Sequence, residues 1–257
     1  MKTAKELQAS PIVGETHQVQ NVASELHSYN LFTTDAALLE GVKREGGAWG
    51  IPEIAAFGDK CGKPEYLELG FLANKYPPEL DTHDRFGNRV DSVRYHGAYH
   101  ELMKSALEEG LHSQPWTNPR EGAHVVRGAK AFMQSQVEAG HGCPVTMTFA
   151  SIPSFRLQPE VAAIFESKIL HRGYDPRNLP VDEKLSITVG MGMTEKQGGS
   201  DVRANSTVAT PVNQPGAGQM YSLVGHKWFL SAPMCDVFLI LAQTTAGVSC
   251  FAVPRWL

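Results

Sequence analysis

Two short stretches of the chain combine glycine, hydroxyl and aromatic side chains in a way that suits ligand binding. The first is GMGMTEKQGGSD, residues 190–201, which we call the glycine loop. Gly198 and Gly199 let a bulky ligand approach the backbone, and successive N–H groups in such a turn can bind an anion. Thr194 and Ser200 add hydroxyl groups that donate or accept hydrogen bonds. The loop indicates a ligand site, although a β-bulge or hairpin turn rich in glycine explains it equally well.

The spacing of the glycines narrows the kind of ligand site. It matches neither G-x-G-x-x-G nor G-x-x-x-x-G-K-[ST], and no helical pattern follows the loop. A dinucleotide site of the Rossmann type and a P-loop are therefore poorly supported.

The second stretch is GHKWFLSAP, residues 225–233, which we call the tryptophan segment. Its pattern predicts a strand that carries Trp228 and Phe229 and is followed by Ser231. A flat aromatic side chain beside a glycine-rich loop suits a flat ring system, through stacking and burial. The alternative is a core tryptophan of a β-domain, which is frequent.

Other residues could in principle do chemistry. His96 and His100 lie four apart on a predicted helix, a spacing that can chelate a metal, but no third ligand is evident. A histidine pair on or near the surface is therefore favoured, and we predict no metal site. Cys143 follows His141 closely, yet a buried thiol is favoured over a Cys–His nucleophile, because sequence neighbours rarely have the required geometry.

Three arginines fall within RFGNRVDSVRYH, residues 85–96. Arg85, Arg89 and Arg94 lie close to aromatic residues and could contact phosphate groups. A solvated loop with local aspartate partners is the favoured interpretation.

Composition limits the class of protein. The 257 residues are 42% hydrophobic and 19% charged, which is ordinary for a globular chain, and the net charge of −4 gives no overall attraction to nucleic acid phosphates. The four cysteines show no C-x-x-C spacing, which argues against a zinc ribbon or a thioredoxin-type site. No signal peptide and no membrane helix are predicted. We therefore expect a cytoplasmic protein with free thiols and no membrane partner.

The arrangement of predicted elements changes along the chain. Residues 1–30 lack a strong period and are predicted to form an arm. A loop is predicted for residues 77–93, with a turn at residues 86–88. In the helix over 121–140 the predicted apolar face contains Val125, Ala129, Phe132, Met133 and Val137. Helices are predicted over 33–46, 51–61, 64–76, 96–113, 121–140 and 159–173.

After about residue 180 the pattern becomes β-like, over 184–194, 219–232, 236–244 and 247–254. Helices followed by strands predict the α+β class, with an arm and helical domain at 1–180 and a β-domain at 181–257. The four or five strands of the β part are too few for a good closed barrel, so we expect an incomplete domain of a longer protein.

The two motifs together carry a resemblance to a known family. MGMTEKQGGSDV with GHKWFLS resembles the flavin-binding signature of the acyl-CoA dehydrogenases, a T-E-P-G-A-G-S-D-like loop followed by a K-x-W-I-[TS]-like strand. Segments from THQVQNVASELH to SCFAVPRWL resemble the AidB branch, which is linked to the response to DNA alkylation. Lys196 and Gln197, in place of the usual proline and small residue, also fit that branch.

This resemblance implies an N-terminal helical domain, an incomplete middle β-barrel domain and FAD as cofactor. It implies that Thr194 lies near the N5/O4 edge of the isoalloxazine ring and Ser200 near the pyrophosphate. The segment CPVTMTFAS, residues 143–151, would either shape the substrate channel or pack as a helix. The implied FAD-binding residues are Met191, Gly192, Met193, Thr194, Gly198, Gly199, Ser200, Trp228, Phe229, Leu230 and Ser231.

The resemblance also sets limits on activity. The family's catalytic glutamate belongs to a C-terminal helical bundle that nothing in this sequence matches, and Glu195 lies inside the flavin loop. We therefore predict no catalytic residue here and no turnover of an acyl-CoA thioester by the chain alone. For a full-length protein the resemblance implies a homotetramer that binds DNA through its C-terminal part.

Two alternatives remain open at this stage. One is an ordinary acyl-CoA dehydrogenase of fatty-acid or branched-chain breakdown. The other is a structural or interaction domain whose flavin site is incomplete and idle.

Overall fold

The computed structural model describes residues 20–256, and the predicted arm lies outside this range up to position 19. The helices are α1 (Ala36–Arg44), α2 (Ile51–Cys61), α3 (Pro64–Lys75), α4 (Gly97–Glu108), α5 (Gln114–Thr117), α6 (Ala123–Val137), α7 (Gly142–Arg156) and α8 (Pro159–Ile169). The strands are β1 (Glu79–His83), β2 (Arg89–Arg94), β3 (Val189–Gly192), β4 (Val208–Pro211), β5 (Tyr221–Val224), β6 (Val237–Thr244) and β7 (Gly247–Pro254). The predicted α+β class is thus confirmed.

Local signals account for where several helices begin. The Asp35 carboxylate accepts a hydrogen bond of 2.9 Å from the Leu38 backbone N–H and caps α1. Pro52 and Pro64 lie in the first turns of α2 and α3, where a missing N–H costs little.

The loop predicted for residues 77–93 is wrong, because β1 and β2 form an antiparallel hairpin there. Its turn lies at the predicted position, where the Asp84 carboxylate accepts hydrogen bonds from the backbone N–H groups of Phe86 and Asn88. The hairpin was missed because both of its faces are largely exposed, so its sequence lacks apolar alternation.

The helical core is built around α6. Ala129 and Met133 are buried there against residues of α2 and α4, among them Phe57 and Leu102. Phe132 is 51% exposed, so its predicted place on the apolar face is wrong. It lies one residue, about 100° around the helix, from Met133 and therefore turns away from the core.

The β part forms one sheet with β6 at its centre. β3 pairs in parallel with the first half of β6, and β7 pairs with β6 along its whole length in antiparallel orientation. β4 meets β6 at the pair Val208 and Gln243, and β5 forms the edge beyond β4. A core of Ile152, Phe155 and Val189 joins α7 to β3, so the glycine loop leaves the sheet beside the helices.

No helix within residues 20–256 is both long and apolar enough to cross a membrane.

Neighbouring residues of α6 provide a test of this packing. Met133→Ala should lower the free energy of unfolding by about 2–5 kcal/mol, since it leaves a cavity in the core. Phe132→Ala should change it by less than about 0.5 kcal/mol, since that side chain is half exposed. Urea denaturation of both variants measures the difference, and equal losses would contradict the assigned helix face.

Candidate functional site

The glycine loop begins inside the sheet, at the carboxyl end of β3. Met191 pairs with Leu239 of β6, and Gly192 pairs with Ile240. A Cβ atom at Gly192 would lie 2.5 Å from the Ile240 Cδ1 atom, so a larger residue at this position would require the Ile240 side chain to move. Met191 and Met193 are half buried and pack against the core that joins the helices to the sheet.

Beyond β3 the loop closes into a tight turn. The Gly198 N–H donates to the Glu195 carbonyl at 3.0 Å, and the Glu195 N–H donates back to the Gly198 carbonyl at 3.4 Å. Lys196 and Gln197 occupy the turn itself. The hairpin-turn interpretation thus describes the local backbone correctly, but it leaves the loop's other contacts unexplained.

The glycine loop and the tryptophan segment are hydrogen-bonded to each other. The Thr194 hydroxyl donates to the Trp228 carbonyl at 2.5 Å, and the Trp228 N–H donates to the Thr194 carbonyl at 3.0 Å. The Lys196 N–H donates to the His226 Nε2 atom at 3.1 Å, and the Lys196 ammonium lies 5.5 Å from the Trp228 ring centroid. Two motifs 30 residues apart in sequence therefore form one surface.

The prediction that Trp228 and Phe229 lie on a strand is wrong. β5 ends at Val224, and the tryptophan segment is irregular. Phe229 and Ala232 have φ angles of 58° and 51°, in the left-handed region that side chains other than glycine rarely adopt. Such residues cost about 1–3 kcal/mol each and cluster at functional sites.

The aromatic side chains of this segment are not core residues. Trp228 is 45% exposed and Phe229 is 78% exposed. Trp228 is therefore not a core tryptophan, and that alternative is wrong. Two aromatic rings on a strained backbone form an open apolar surface beside the glycine loop.

The buried Glu195 carboxylate holds the parts of the site together. It accepts hydrogen bonds of 2.7 and 2.8 Å from the backbone N–H groups of Ser206 and Thr207. The hydroxyl groups of the same two residues also donate to it, at 2.7 and 2.6 Å. The Lys227 ammonium lies 3.2 Å from it, directly before Trp228. One side chain thus ties the glycine loop to β4 and to the tryptophan segment.

These contacts fix the charge of Glu195. Burial raises the pKa of its carboxyl, but the hydrogen bonds from Thr207 and Ser206 outweigh burial and hold that pKa far below its usual range. Glu195 is therefore ionised, and its carboxylate is occupied by structural contacts.

The structure divides the predicted site residues into two groups. Met191, Met193 and Thr194 are half buried, and Gly192 is buried. The others are exposed and line the open side of the two segments: Gly198, Gly199, Ser200, Trp228, Phe229, Leu230 and Ser231. Ser200 and Ser231 make no hydrogen bond that joins the two segments within residues 20–256.

Several supporting residues were missed from the sequence. Asn205 donates from its side-chain amide to the Met193 carbonyl at 2.9 Å, and Gln243 donates to the Asn205 carbonyl at 3.0 Å. A Cβ at Gly225 would lie 2.4 Å from the Thr207 hydroxyl oxygen. The only available signal was the polar run Asn205–Thr207 directly before a strand.

The other candidate histidines have structural partners within residues 20–256. His96 caps α4, whereas the Nδ1 atom of His100 is bonded to the Tyr174 hydroxyl, and no metal-binding cluster occurs among residues 20–256. Cys143 is exposed, so its predicted burial is wrong: it lies on the outer face of the first turn of α7. The His141 ring is instead bonded to Glu138 and Gln134.

The arginine-rich segment and the segment 143–151 both have structural partners. Arg89 pairs with Asp91 at 2.5 Å, which is a local aspartate partner as predicted. Arg94 instead pairs with Glu79 across the hairpin at 2.6 Å, and the segment is not the predicted loop. Residues 143–151 lie in α7, where the Thr148 hydroxyl accepts a hydrogen bond of 3.0 Å from the Val189 N–H. Its buried face packs as a helix against β3.

Comparison with known families decides the identity. Residues 21–176 match the model described as "Adaptive response protein AidB N-terminal domain". The chain belongs to the AidB branch of the acyl-CoA dehydrogenase family. Residues 190–256 of this AidB-branch chain match the model of the acyl-CoA dehydrogenase middle domain. The resemblance stated from the two motifs is confirmed.

Individual relatives agree. The AidB-branch chain is 45% identical to AidB of Escherichia coli (strain K12) over 245 residues, which cover 95% of this chain and 44% of AidB. It is 30% identical to "Acyl-CoA dehydrogenase family member 11" of Caenorhabditis elegans over 197 residues, 74% of this chain and 30% of the relative. The chain spans less than half the length of both curated relatives.

Solved structures give the same fold. The apo form of Bd2924 superposes with a TM-score of 0.77 at 26% identity, covering 91% of this chain and 48% of that one. Caenorhabditis elegans ACDH-11, solved in complex with C11-CoA, superposes with a TM-score of 0.73 at 26% identity, covering 99% and 44%.

The Glu195 contacts of the AidB-branch chain predict a measurable loss of stability. Glu195→Gln removes the charge that Lys227 and five hydrogen-bond donors of Gln197, Ser206 and Thr207 require, and should lower the free energy of unfolding by about 3 kcal/mol. Glu68→Gln, which alters an exposed residue of α3, is the matched control and should have little effect.

The same substitution predicts a change in pH dependence. Because the folded pKa of Glu195 is depressed, its contribution to stability is complete above the pKa of about 4.3 of an unfolded glutamate and is lost as the pH falls further. The free energy of unfolding, measured at several pH values from 7 to 3, should therefore decrease less for Glu195→Gln than for the unmodified chain. Identical slopes would show that this carboxylate is not the stabilising group.

Proposed function

We propose that this chain forms part of an FAD site in an AidB-type acyl-CoA dehydrogenase. The observation that carries the proposal is the reciprocal pair of hydrogen bonds between Thr194 and Trp228, which joins the two flavin-signature motifs into one open surface. Family membership supports the same assignment.

The residues present fit a flavin in shape and in polarity. The exposed rings of Trp228 and Phe229 offer an apolar surface for a flat ring system. A Cβ at Gly198 would meet no atom within 4 Å, so the space beside this residue is open to a ligand. Ser200 and Ser231 are exposed and offer hydroxyl groups on the two segments.

The hydrogen bonds of Thr194 define what that residue can offer. Its hydroxyl hydrogen is committed to the Trp228 carbonyl, so its oxygen is left as an acceptor for a ligand N–H group. Donation from Thr194 to a ring nitrogen would first require release of the Trp228 carbonyl. Thr194 therefore acts as an acceptor in this arrangement and also sets the position of Trp228.

Within this proposal, Met191, Gly192, Met193 and Thr194 line the isoalloxazine ring, and Ser200 lies near the pyrophosphate. Trp228, Phe229, Leu230 and Ser231 flank the ring. Bound FAD supplies a two-electron acceptor for oxidation of a thioester, and the protein orients it and sets its polarity.

An acyl-CoA thioester is the proposed substrate of the full-length protein. The related ACDH-11 was solved with C11-CoA, and the second curated relative is named as an acyl-CoA dehydrogenase. Glu195 cannot serve as the base, because its carboxylate is buried and already accepts from Ser206, Thr207 and Lys227. We propose that the 257-residue chain binds FAD but does not oxidise a thioester alone.

We further propose, for the full-length protein, a cytoplasmic homotetramer that protects DNA against alkylation. The 45% identity to AidB and the matching adaptive-response model support this role. The net charge of −4 favours a DNA contact outside the present residues. Salt-dependent retention of DNA by the full-length protein tests the proposal, and binding that is insensitive to salt would contradict it.

Two exposed tryptophans give a matched test of the FAD site. Trp228 and Trp256 are 45% and 44% exposed, but only Trp228 lies at the proposed site. Trp228→Leu should raise the Kd of the chain for FAD about tenfold, because a stacking contact contributes about 1.4 kcal/mol. Titration of FAD followed by flavin fluorescence measures both variants.

In that titration Trp256→Leu should bind FAD as the unmodified chain does. Equal weakening by both substitutions would remove the support for a specific flavin surface. Failure of the unmodified chain to bind FAD would favour the alternative of an idle site in a structural domain.

Steady-state dye reduction with acyl-CoA tests the proposal that the 257-residue chain alone does not oxidise a thioester. The chain with saturating FAD should give no turnover above the rate with free FAD. Robust turnover would contradict the absence of a catalytic base from this chain and would favour an ordinary acyl-CoA dehydrogenase activity within it.

A further inference from the structure

A cavity lies between the hairpin, the helices and the sheet, and Ala232 is the only residue of the glycine loop or the tryptophan segment that lines it. It lies beside Thr188, before the amino end of β3, whereas the glycine loop leaves β3 at its carboxyl end. Its cavity volume is about 60 Å³, which leaves room for a few water molecules or one very small ligand.

Three tyrosines dominate one side of this cavity. The rings of Tyr95 and Tyr99 are stacked, with centroids 4.1 Å apart. Tyr174 lies on the same cavity and its hydroxyl is 2.8 Å from the His100 Nδ1 atom. The phenol groups of Tyr95 and Tyr99 have no hydrogen-bond partner within residues 20–256. Both phenols are therefore available to a ligand.

The phenol groups are close to one another. Burial raises the pKa of Tyr99 and Tyr174, and repulsion from the neighbouring phenolate of Tyr95 adds to both shifts. All three therefore remain protonated at neutral pH and can donate hydrogen bonds. Burial also lowers the pKa of His100, which leaves its ring neutral and able to accept from Tyr174.

The cavity lining also carries paired charged side chains. Asp236 is buried and already accepts from the Lys184 ammonium at 2.6 Å and from the Thr188 N–H at 2.8 Å. Asp175 is likewise held by Arg177 at 2.6 Å. Arg255 also lines the cavity, with its Nε–H donating to the Cys235 carbonyl at 3.0 Å and its guanidinium 3.8 Å from Asp236. The lining therefore carries three cationic side chains and two carboxylates.

From this lining we infer that the cavity is a binding site for a small monocarboxylate. Free phenol O–H donors suit carboxylate oxygens, and the excess of positive charge favours a single negative charge. The stacked rings of Tyr95 and Tyr99 and the thioether of Met234 provide the apolar side for a short hydrocarbon tail. The same charge balance disfavours an amine.

Acetate and propionate are suitable probes, with sodium chloride at equal ionic strength as reference. Each carboxylate should raise the Tm of the 257-residue chain saturably, because a ligand of the folded state stabilises it. Tyr99→Phe should raise the Kd about tenfold, the effect of removing one hydrogen bond to a charged group. Tyr76→Phe, which alters a half-exposed ring outside the cavity, should leave the Kd unchanged.

Three outcomes would overturn the inference. The first is a Tm that rises equally in acetate and in chloride. The second is a carboxylate Kd that is the same in Tyr99→Phe as in the unmodified chain. The third is tighter binding of ethylammonium than of propionate. Because the readout is the Tm and uses no flavin, this test is independent of the test of the FAD site.

Discussion

The architecture of the proposed flavin site depends on one buried carboxylate. Glu195 is 1% exposed, and burial of an unpaired charge would be prohibitive without compensation. Its compensation comes from the neighbouring Gln197 amide and from groups that are distant in sequence: the backbone N–H and hydroxyl groups of Ser206 and Thr207 and the Lys227 ammonium. Because the charge must be satisfied, the glycine loop, the start of β4 and the tryptophan segment have to meet there. We infer that the buried pair of Glu195 and Lys227 contributes less to net stability than to fixing how these three segments are arranged.

This constraint explains how the open side of the site can remain exposed. Phe229 has a left-handed backbone and a side chain that is 78% exposed, so it gains little from burial. Its strained conformation is maintained by neighbours on both sides: Trp228 is fixed to Thr194, and the Ser231 N–H donates to the Phe229 carbonyl at 2.9 Å. A rigid interior therefore presents aromatic rings to a ligand at little cost in ordering on binding.

The family resemblance, which carries long-range information that periodicity lacks, indicated that the glycine loop and the tryptophan segment lie together. The sequence did not predict the local structure of the tryptophan segment. The strand predicted for Trp228 failed because β-propensity reports a half-buried pleated surface, and this segment has no strand beside it. The hairpin at residues 79–94 was not predicted for a related reason: both of its faces are exposed, and this removes the apolar alternation that identifies a strand. Met133 and Phe132 show the limit of predicting a helix face from apolar spacing. The two residues are adjacent, yet Met133 is buried in the core and Phe132 is half exposed.

The cavity beside Thr188 follows from the same sheet geometry as the flavin site. β3 has only four residues, and its two ends lie against different partners. At the carboxyl end, Glu195 accepts hydrogen bonds from Ser206 and Thr207, directly before β4, and the aromatic rings of the tryptophan segment beside it remain exposed. At the amino end, Asp236 accepts hydrogen bonds from Lys184 and Thr188, and the phenol groups of Tyr95 and Tyr99 remain available as donors. Glu195 and Asp236 thus already have hydrogen-bond partners from the protein. The neighbouring groups that do not bond to these carboxylates remain available to a ligand. A short buried strand between two such carboxylates therefore separates an aromatic surface suited to a redox ring from a tyrosine-lined pocket suited to an anion.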